Sequence, residues 1–296
     1  MSQFAGKTVV ISGGAEGIGL SIASALGKQG MNVVLGDIDP VQLDLALAQL
    51  KSEGARATGV TMDVTNIGHW HHLADQAERQ FGKIHMLVNN AGVGGGTGTV
   101  EQSDRNDWRW VLDVNLMGVI YGTQTMVPLI KKHGEGGRLL NVASMAGMVG
   151  VPFAGAYTAT KAAVVAMSES WYAELKPHNI KVSVLCPAFV KTRINLSERN
   201  RQPDYSRDEQ ASDADSFKSE ALAAHMQNVI NNGLNVDVVG ERVVEALNAG
   251  ELYIFTHPNY RPVVQQRYKA IDEAFERAAA SPLLAHVLNE DVVGFT

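Results

Sequence analysis

The stretch Lys7-Thr8-Val9-Val10-Ile11-Ser12-Gly13-Gly14-Ala15-Glu16-Gly17-Ile18-Gly19 decides the fold. A helical pattern over 20–29 and a second apolar run over 32–37 follow it. Residues 7–12 are apolar and β-branched without polar alternation, which suits a strand covered on both faces. Gly30 ends the helix. Strand, glycine-rich turn, helix and strand make a βαβ unit. In that setting glycines let the backbone approach a pyrophosphate, and the helix N-terminus attracts its charge.

Asp37 closes the second strand, about twenty residues after the turn, where a carboxylate accepts the ribose hydroxyls of NAD. The same charge repels the 2′-phosphate of NADP, and Glu16 adds a second negative charge inside the turn. The alternation then continues. A helical stretch over 39–54 leads to a strand over 55–63, ending in Asp63-Val64 where an adenine edge could lie. A helix over 67–81 and a strand over 84–89 follow. The loop Asn89-Asn90-Ala91-Gly92, with Gly94, Gly95 and Gly96, lies beyond that strand's carboxyl end, where open parallel sheets bind ligands.

A long helix is expected over 107–129, interrupted or ended by Pro128. It contains Asn115, which fits a tolerated polar position as well as a functional one. A strand over 138–143 runs into Ser144, a helix spans 155–176, and a strand covers 180–185. After Cys186-Pro187-Ala188-Phe189-Val190-Lys191-Thr192, residues 193–216 are polar and charged and predict a mobile loop or lid. Helices over 220–230 and 236–249 and a strand over 252–256 complete the alternation. The fold expected is α/β, a doubly wound Rossmann architecture with a mostly parallel seven-stranded sheet. One domain spans 1–256 with its lid near 193–216. A helical extension, 257–296, packs on or beside it.

The chain has 296 residues and a net charge of -6, which argues against a nucleic-acid surface. A single cysteine excludes an internal disulfide and suits a reducing compartment. Neither a signal-peptide h-region nor a membrane-length apolar run is present, so the cytoplasm and no membrane partner are expected. The run Gly68-His69-Trp70-His71-His72 lacks Cys or a downstream ligand and fits a solvated helix end; no metal is expected.

Tyr157 and Lys161 are four apart on one helix and share a face. A free tyrosine has a pKa of about 10, and a nearby cation lowers it by favouring the phenolate. Ser144, at a strand end thirteen residues upstream of Tyr157, offers a hydroxyl that could meet the phenol in space.

Taken together, Ser12-Gly13 with Gly17 and Gly19, Asn89-Asn90-Ala91-Gly92, Asn115, Ser144 and Tyr157 with Lys161 resemble the short-chain dehydrogenase/reductase family over roughly residues 7–256. More loosely, Leu252-Tyr253-Ile254-Phe255, His257-Pro258 and the long tail resemble a bacterial subgroup that oxidises benzylic alcohols in lignin-derived aryl ethers. Pro187-Ala188 departs from the family's usual Pro-Gly. The resemblance implies that Tyr157 exchanges a proton with the substrate oxygen. By the same resemblance Lys161 lowers its pKa and holds the nicotinamide ribose, Ser144 hydrogen-bonds the substrate oxygen, and Asn115 holds a water linking Lys161 to solvent. The cofactor implied is NAD. Around it the resemblance sets Gly13, Gly17, Ile18, Gly19, Asp37, Asp63, Val64, Asn90, Gly92, Tyr157, Lys161, Pro187, Val190 and Thr192. The family analogy also implies a homodimer or homotetramer.

The expected activity is hydride transfer between NAD and a small-molecule secondary alcohol or ketone. A dinucleotide-binding sensor on the same fold is the competing class, but it would be free to lose Tyr157, Lys161 or Ser144. Met145, Phe153 and Phe189, near the reacting groups in sequence, make an apolar wall that suits a bulky or aromatic substrate. They serve equally to pack against the lid.

Overall fold

Thr8–Ser12 (β1), Asn32–Asp37 (β2), Arg56–Thr61 (β3), Met86–Asn89 (β4), Gly137–Val142 (β5), Ile180–Cys186 (β6) and Tyr253–Phe255 (β7) form one sheet. The computed structural model describes residues 2–207, 224, 227–292 and 294. Strand order is β3-β2-β1-β4-β5-β6-β7, and every pairing is parallel. The order reverses between β1 and β4, so the crevice beyond their carboxyl ends is the place for a ligand.

The helices are Gly17–Lys28 (α1), Pro40–Ser52 (α2), Ile67–Phe81 (α3), Arg105–Leu112 (α4), Gly118–Lys132 (α5), Gly155–Leu175 (α6), Val236–Ala249 (α7) and Arg261–Ala279 (α8). Of the helix expected over 220–230, most lies outside the described residues; 227–231 are helical. Residues 208–216 of the expected lid also lie outside them.

Two apolar layers sandwich the sheet. Ile11, Val33 and Leu35 face Ile22, Leu26, Val243 and Leu247 on one side. Val10, Val34, Leu87 and Leu139 face Trp70, Leu73, Trp110 and Ile130 on the other. Successive strand residues point to opposite faces. Because both faces are covered, the strands carry no polar alternation.

The helix expected over 107–129 is not continuous. Asp113–Met117 form one wider π turn between α4 and α5, and Asn115 sits in it, fully buried. Pro128 does not end α5, which continues to Lys132. Proline removes the hydrogen bond to the carbonyl four residues earlier. Gln124 and Pro128 both lie on the exposed face, where water can satisfy that carbonyl.

The chain divides into two compact units, Met1–Thr256 and His257–Thr296. The second is built on α8 and two short turns, Pro258–Tyr260 and Pro282–Leu284. Among the described residues no helix is long and apolar enough to cross a membrane.

Helices α1 and α7 approach closely through small residues. The Ser21 hydroxyl donates to the Val236 carbonyl at 2.7 Å and accepts from the Gly240 N–H at 3.0 Å. A Cβ on Gly240 would lie 2.4 Å from the Ser21 carbonyl oxygen, a backbone atom that cannot step aside. Gly240→Ala should therefore destabilise the protein by about 1–3 kcal/mol. A urea midpoint equal to that of wild type would show that the helices separate freely.

Candidate active site

The glycine turn is built by close backbone approach. Gly17 has φ +56°, in the left-handed region. A Cβ on Gly19 would stand 2.2 Å from the Gly13 carbonyl oxygen, and one on Gly13 would stand 2.7 Å from the Ala91 Cα. Asn90 ties this turn to the β4 loop. Its Nδ2 donates to the carbonyls of Ser12 (3.0 Å) and Gly13 (2.7 Å). The Ser12 hydroxyl returns the link, accepting from the N–H groups of Asn90 (3.1 Å) and Ala91 (3.2 Å). This cradle leaves the N-terminus of α1 bare of side chains at Gly17 and Gly19, which fits a pyrophosphate. Ile18 packs into the core beneath it.

Asp37 is buried at the end of β2. One carboxylate oxygen accepts the Ala15 N–H (2.9 Å) and the other the Asp39 N–H (3.1 Å). Burial pushes its pKa up, and the two backbone donors pull it back. Each oxygen keeps a second lone pair for a ribose hydroxyl. Glu16 behaves differently from the sequence expectation. It is ion-paired with both Arg193 and Arg199, so the charge there is net positive rather than negative. Discrimination against a 2′-phosphate therefore rests on Asp37.

Beside Asp37, at the end of the neighbouring strand β3, Asp63 Oδ1 accepts from the Thr65 N–H and hydroxyl (2.9 and 2.8 Å). Its Oδ2 accepts from Gln202 Nε2 at 2.7 Å. Val64 is buried, and its carbonyl takes the Trp70 indole N–H at 3.0 Å. His69 is spent on structure: its Nδ1 accepts the Asp63 N–H at 3.0 Å.

Tyr157 and Lys161 share one face of α6, as their spacing predicts. The Lys161 ammonium lies 5.6 Å from the Tyr157 ring centroid and donates to the Val142 carbonyl at 2.9 Å. Burial brings Lys161 down to about 8, while the neighbouring Cys186 thiol acts in the opposite direction. Burial pushes Tyr157 above 10, and only the Ser144 hydroxyl works against that.

Ser144 is buried at the end of β5; its Oγ accepts the Ala146 N–H (3.1 Å) and donates weakly to the Pro187 carbonyl (3.4 Å). Asn115 clasps Val93, Oδ1 accepting its N–H at 2.8 Å and Nδ2 donating to its carbonyl at 2.9 Å. Its side chain thus holds the β4 loop. A Cβ on Gly92 would stand 3.4 Å from both Asn115 Oδ1 and Lys161 Nζ, so these groups flank one small gap.

Pro187 also accepts the Met145 N–H at 2.9 Å, joining the Ser144 turn to the segment after β6. Met145 is buried, Phe189 half-buried, and Phe153 is 55% exposed in a left-handed conformation (φ 63°). Val190 bridges to Leu234, and Thr192 packs on Gly17. Sequence reasoning missed Arg193, Arg199 and Gln202. They stand in a charged stretch without periodicity, and their partners lie more than a hundred residues away.

One other cluster lies at the opposite end of the sheet: His85, His133 and Glu135. Its nitrogens are committed. His85 Nδ1 accepts the Thr8 N–H (3.1 Å), leaving Nε2–H for Glu135 (3.2 Å). His133 accepts the Glu135 N–H at Nδ1 (3.2 Å) and donates to the Ile84 carbonyl from Nε2 (2.8 Å). A metal on His85 Nε2 would force a proton onto Nδ1, against the Thr8 N–H.

A doubly wound sheet, a phosphate cradle at its switch point and a Ser-Tyr-Lys group beside it define a dinucleotide-binding oxidoreductase. Residues 7–203 match the family model of the short chain dehydrogenases. A CLA biosynthesis dehydrogenase/reductase of Lactiplantibacillus plantarum is 34% identical over 276 residues, 92% of this chain and 95% of that protein. A C alpha-dehydrogenase of Sphingobium sp. is 28% identical over 95% of this chain and 90% of its own length. The crystal structure of a short-chain dehydrogenase/reductase from Burkholderia phymatum in complex with NAD superposes with a TM-score of 0.87. It is 36% identical and covers 93% of this chain and 97% of its own. The chain belongs to the short-chain dehydrogenase/reductase family.

Burial, ahead of the opposing pull from Glu135, holds the His85 pKa below 6.5. In the window between that folded value and 6.5 the unfolded chain binds more protons, so stability rises with pH and falls as pH drops through it. His85→Asn, whose carbonyl can take the Thr8 N–H without titrating, should flatten that limb. Denaturant titrations of both proteins between pH 5 and pH 8 provide the check; parallel curves would remove His85 from the explanation.

Proposed function

We propose that this protein catalyses NAD-dependent hydride transfer between a bulky, largely apolar secondary alcohol and its ketone. The observation that carries the reading is the convergence of Ser144, Tyr157 and buried Lys161 beside the cradle closed by Asn90 and Asp37. The NAD complex of the Burkholderia relative supports the cofactor. Asp37 supports NAD over NADP, since its charge would face a 2′-phosphate.

Gly13, Gly17 and Gly19 would receive the pyrophosphate, Asp37 the adenosine ribose, and Lys161 the nicotinamide ribose. When bound, NAD supplies the hydride acceptor and a positively charged ring. The Tyr157 hydroxyl exchanges the proton of the substrate oxygen. Ser144 donates to that oxygen, giving up its weak 3.4 Å bond to Pro187, and so stabilises the charge developing there. Lys161, its ammonium 5.6 Å from the Tyr157 ring centroid, is the cation that would favour the phenolate. Asn115 keeps the β4 loop against Lys161.

The apolar substrate rests on Met145, Met148, Phe153 and Phe189. Phe153 presents an exposed ring from a strained backbone two residues before α6. Strain held at a site mouth is a mark of a binding position. The name of the Sphingobium relative, a C alpha-dehydrogenase, is compatible with a benzylic alcohol.

Tyr157→Phe should keep NADH affinity within about twofold and lower kcat by roughly 10²–10⁴. Fluorescence titration and steady-state rates test both halves, and near-normal turnover would remove Tyr157 from the chemistry. In a panel run with NAD and with NADP, 1-phenyl secondary alcohols with NAD should show the highest kcat/KM. Preference for glycerol, sugars or 3-hydroxy acids would refute the substrate class. Equal or better rates with NADP would refute the cofactor. Absence of turnover with bound NADH would favour a sensor.

A further inference from the structure

Residues 193–207 are the described part of the segment expected to form a lid. Their contacts run along the dinucleotide crevice. At the phosphate end Thr192 packs on Gly17, and the guanidinium groups of Arg193 and Arg199 converge on Glu16. Beside it, Ser197 Oγ accepts the Gly94 N–H of the β4 loop at 3.2 Å. At the adenine end Gln202 bridges two fixed groups. Its Oε1 accepts the Trp110 indole N–H at 3.0 Å, and its Nε2 donates to Asp63 at 2.7 Å. An indole N–H only donates and a carboxylate only accepts, so the Gln202 amide has a single orientation here. Beyond it the segment is moored to α4 and the turn after it. Arg201 pairs with Asp107 and stacks 4.2 Å over Trp110, and the Tyr205 hydroxyl donates to Asp113 at 2.9 Å.

We propose that residues 193–207 form a strap that gates dinucleotide exchange, with Glu16 as its latch at the phosphate end and Gln202 as its latch at the adenine end. The inference rests on the NAD assignment above. Three anchors of the segment, Glu16, Gly94 and Asp63, belong to loops at the carboxyl ends of β1, β4 and β3, the edge of the sheet on which the switch point lies. Both latches must open for a dinucleotide to pass. The two ends differ in chemistry. The Glu16 clasp is an ionic pair at partly exposed side chains and weakens with salt. The Gln202 bridge is held by a buried indole and is insensitive to salt.

The test measures NADH release by stopped-flow fluorescence in wild type, Glu16→Gln and Gln202→Leu. Each variant should release NADH about tenfold faster, the loss of one charge-assisted hydrogen bond's worth of holding. Raising NaCl should speed release from wild type and from Gln202→Leu, but not from Glu16→Gln. Trypsin cleavage after Arg199 and Arg201, followed by mass spectrometry, should accelerate in both variants even without cofactor. Release rates within about twofold of wild type in both variants would overturn the strap. Wild-type protein that binds no NADH would overturn the cofactor assignment and the strap with it. Protein that binds NADH normally with unchanged release would overturn the strap alone. Thermal unfolding of the variants near the wild-type midpoint separates latch opening from general loss of structure.

Discussion

The structure depends on how closely three pieces of backbone can approach at the switch point of the sheet. The end of β1, the first turn of α1 and the loop after β4 meet with less room than one methyl group between them. Four hydrogen bonds lock that meeting, all donated by Asn90 and Ala91 of the β4 loop to oxygens of Ser12 and Gly13. Everything functional is measured from this knot. It exposes the α1 N-terminus, sets Asp37 at one side of it and holds Gly92 at the other.

From there the reacting groups are positioned by burial. Lys161 is an almost fully buried cation, and an isolated one would be costly. It is tolerated because the Val142 carbonyl accepts its hydrogen bond, because it faces the Tyr157 ring, and because burial lowers its pKa to about 8. The face of α6 opposite solvent is fixed by a polar chain inside the core. Asn89 donates to Thr123 and Asn141, Asn141 to Ser168, and Ser168 to the Val164 carbonyl. That chain crosses from β4 through β5 to α6. It keeps the lysine's helix from sliding over the sheet, since a slip would leave buried polar groups unpaired.

Charge on the rim of the crevice has a different use from charge at its floor. Asp37 is held by backbone donors and stays available to a ligand. Glu16, only twenty-one positions earlier in the same unit, is consumed by arginines from 177 and 183 residues away. Two acidic residues of one βαβ unit are therefore held differently, one by backbone N–H groups and one by guanidinium groups.

The βαβ opening, the seven strands and their parallel arrangement, the α3 and α7 boundaries and the Tyr157–Lys161 face were all legible in sequence. They depend on local chemistry: runs of β-branched residues, glycines at turns, and the helical period. The residues proposed for catalysis and cofactor binding were named from the family resemblance, and Tyr157 and Lys161 also from their spacing on one helix face. What sequence misjudged depends on partners far along the chain. Pro128 passed through α5 because its lost hydrogen bond faces solvent. Sequence left Asn115 open between a structural and a functional position, and its side chain clasps Val93, twenty-two residues away. Residues 193–207 carried no periodic signal, so their course along the crevice was decided only by the tertiary placement of Glu16, Gly94, Asp63 and Trp110. Local propensity determined the elements; long-range hydrogen bonds and desolvation determined what their charges do.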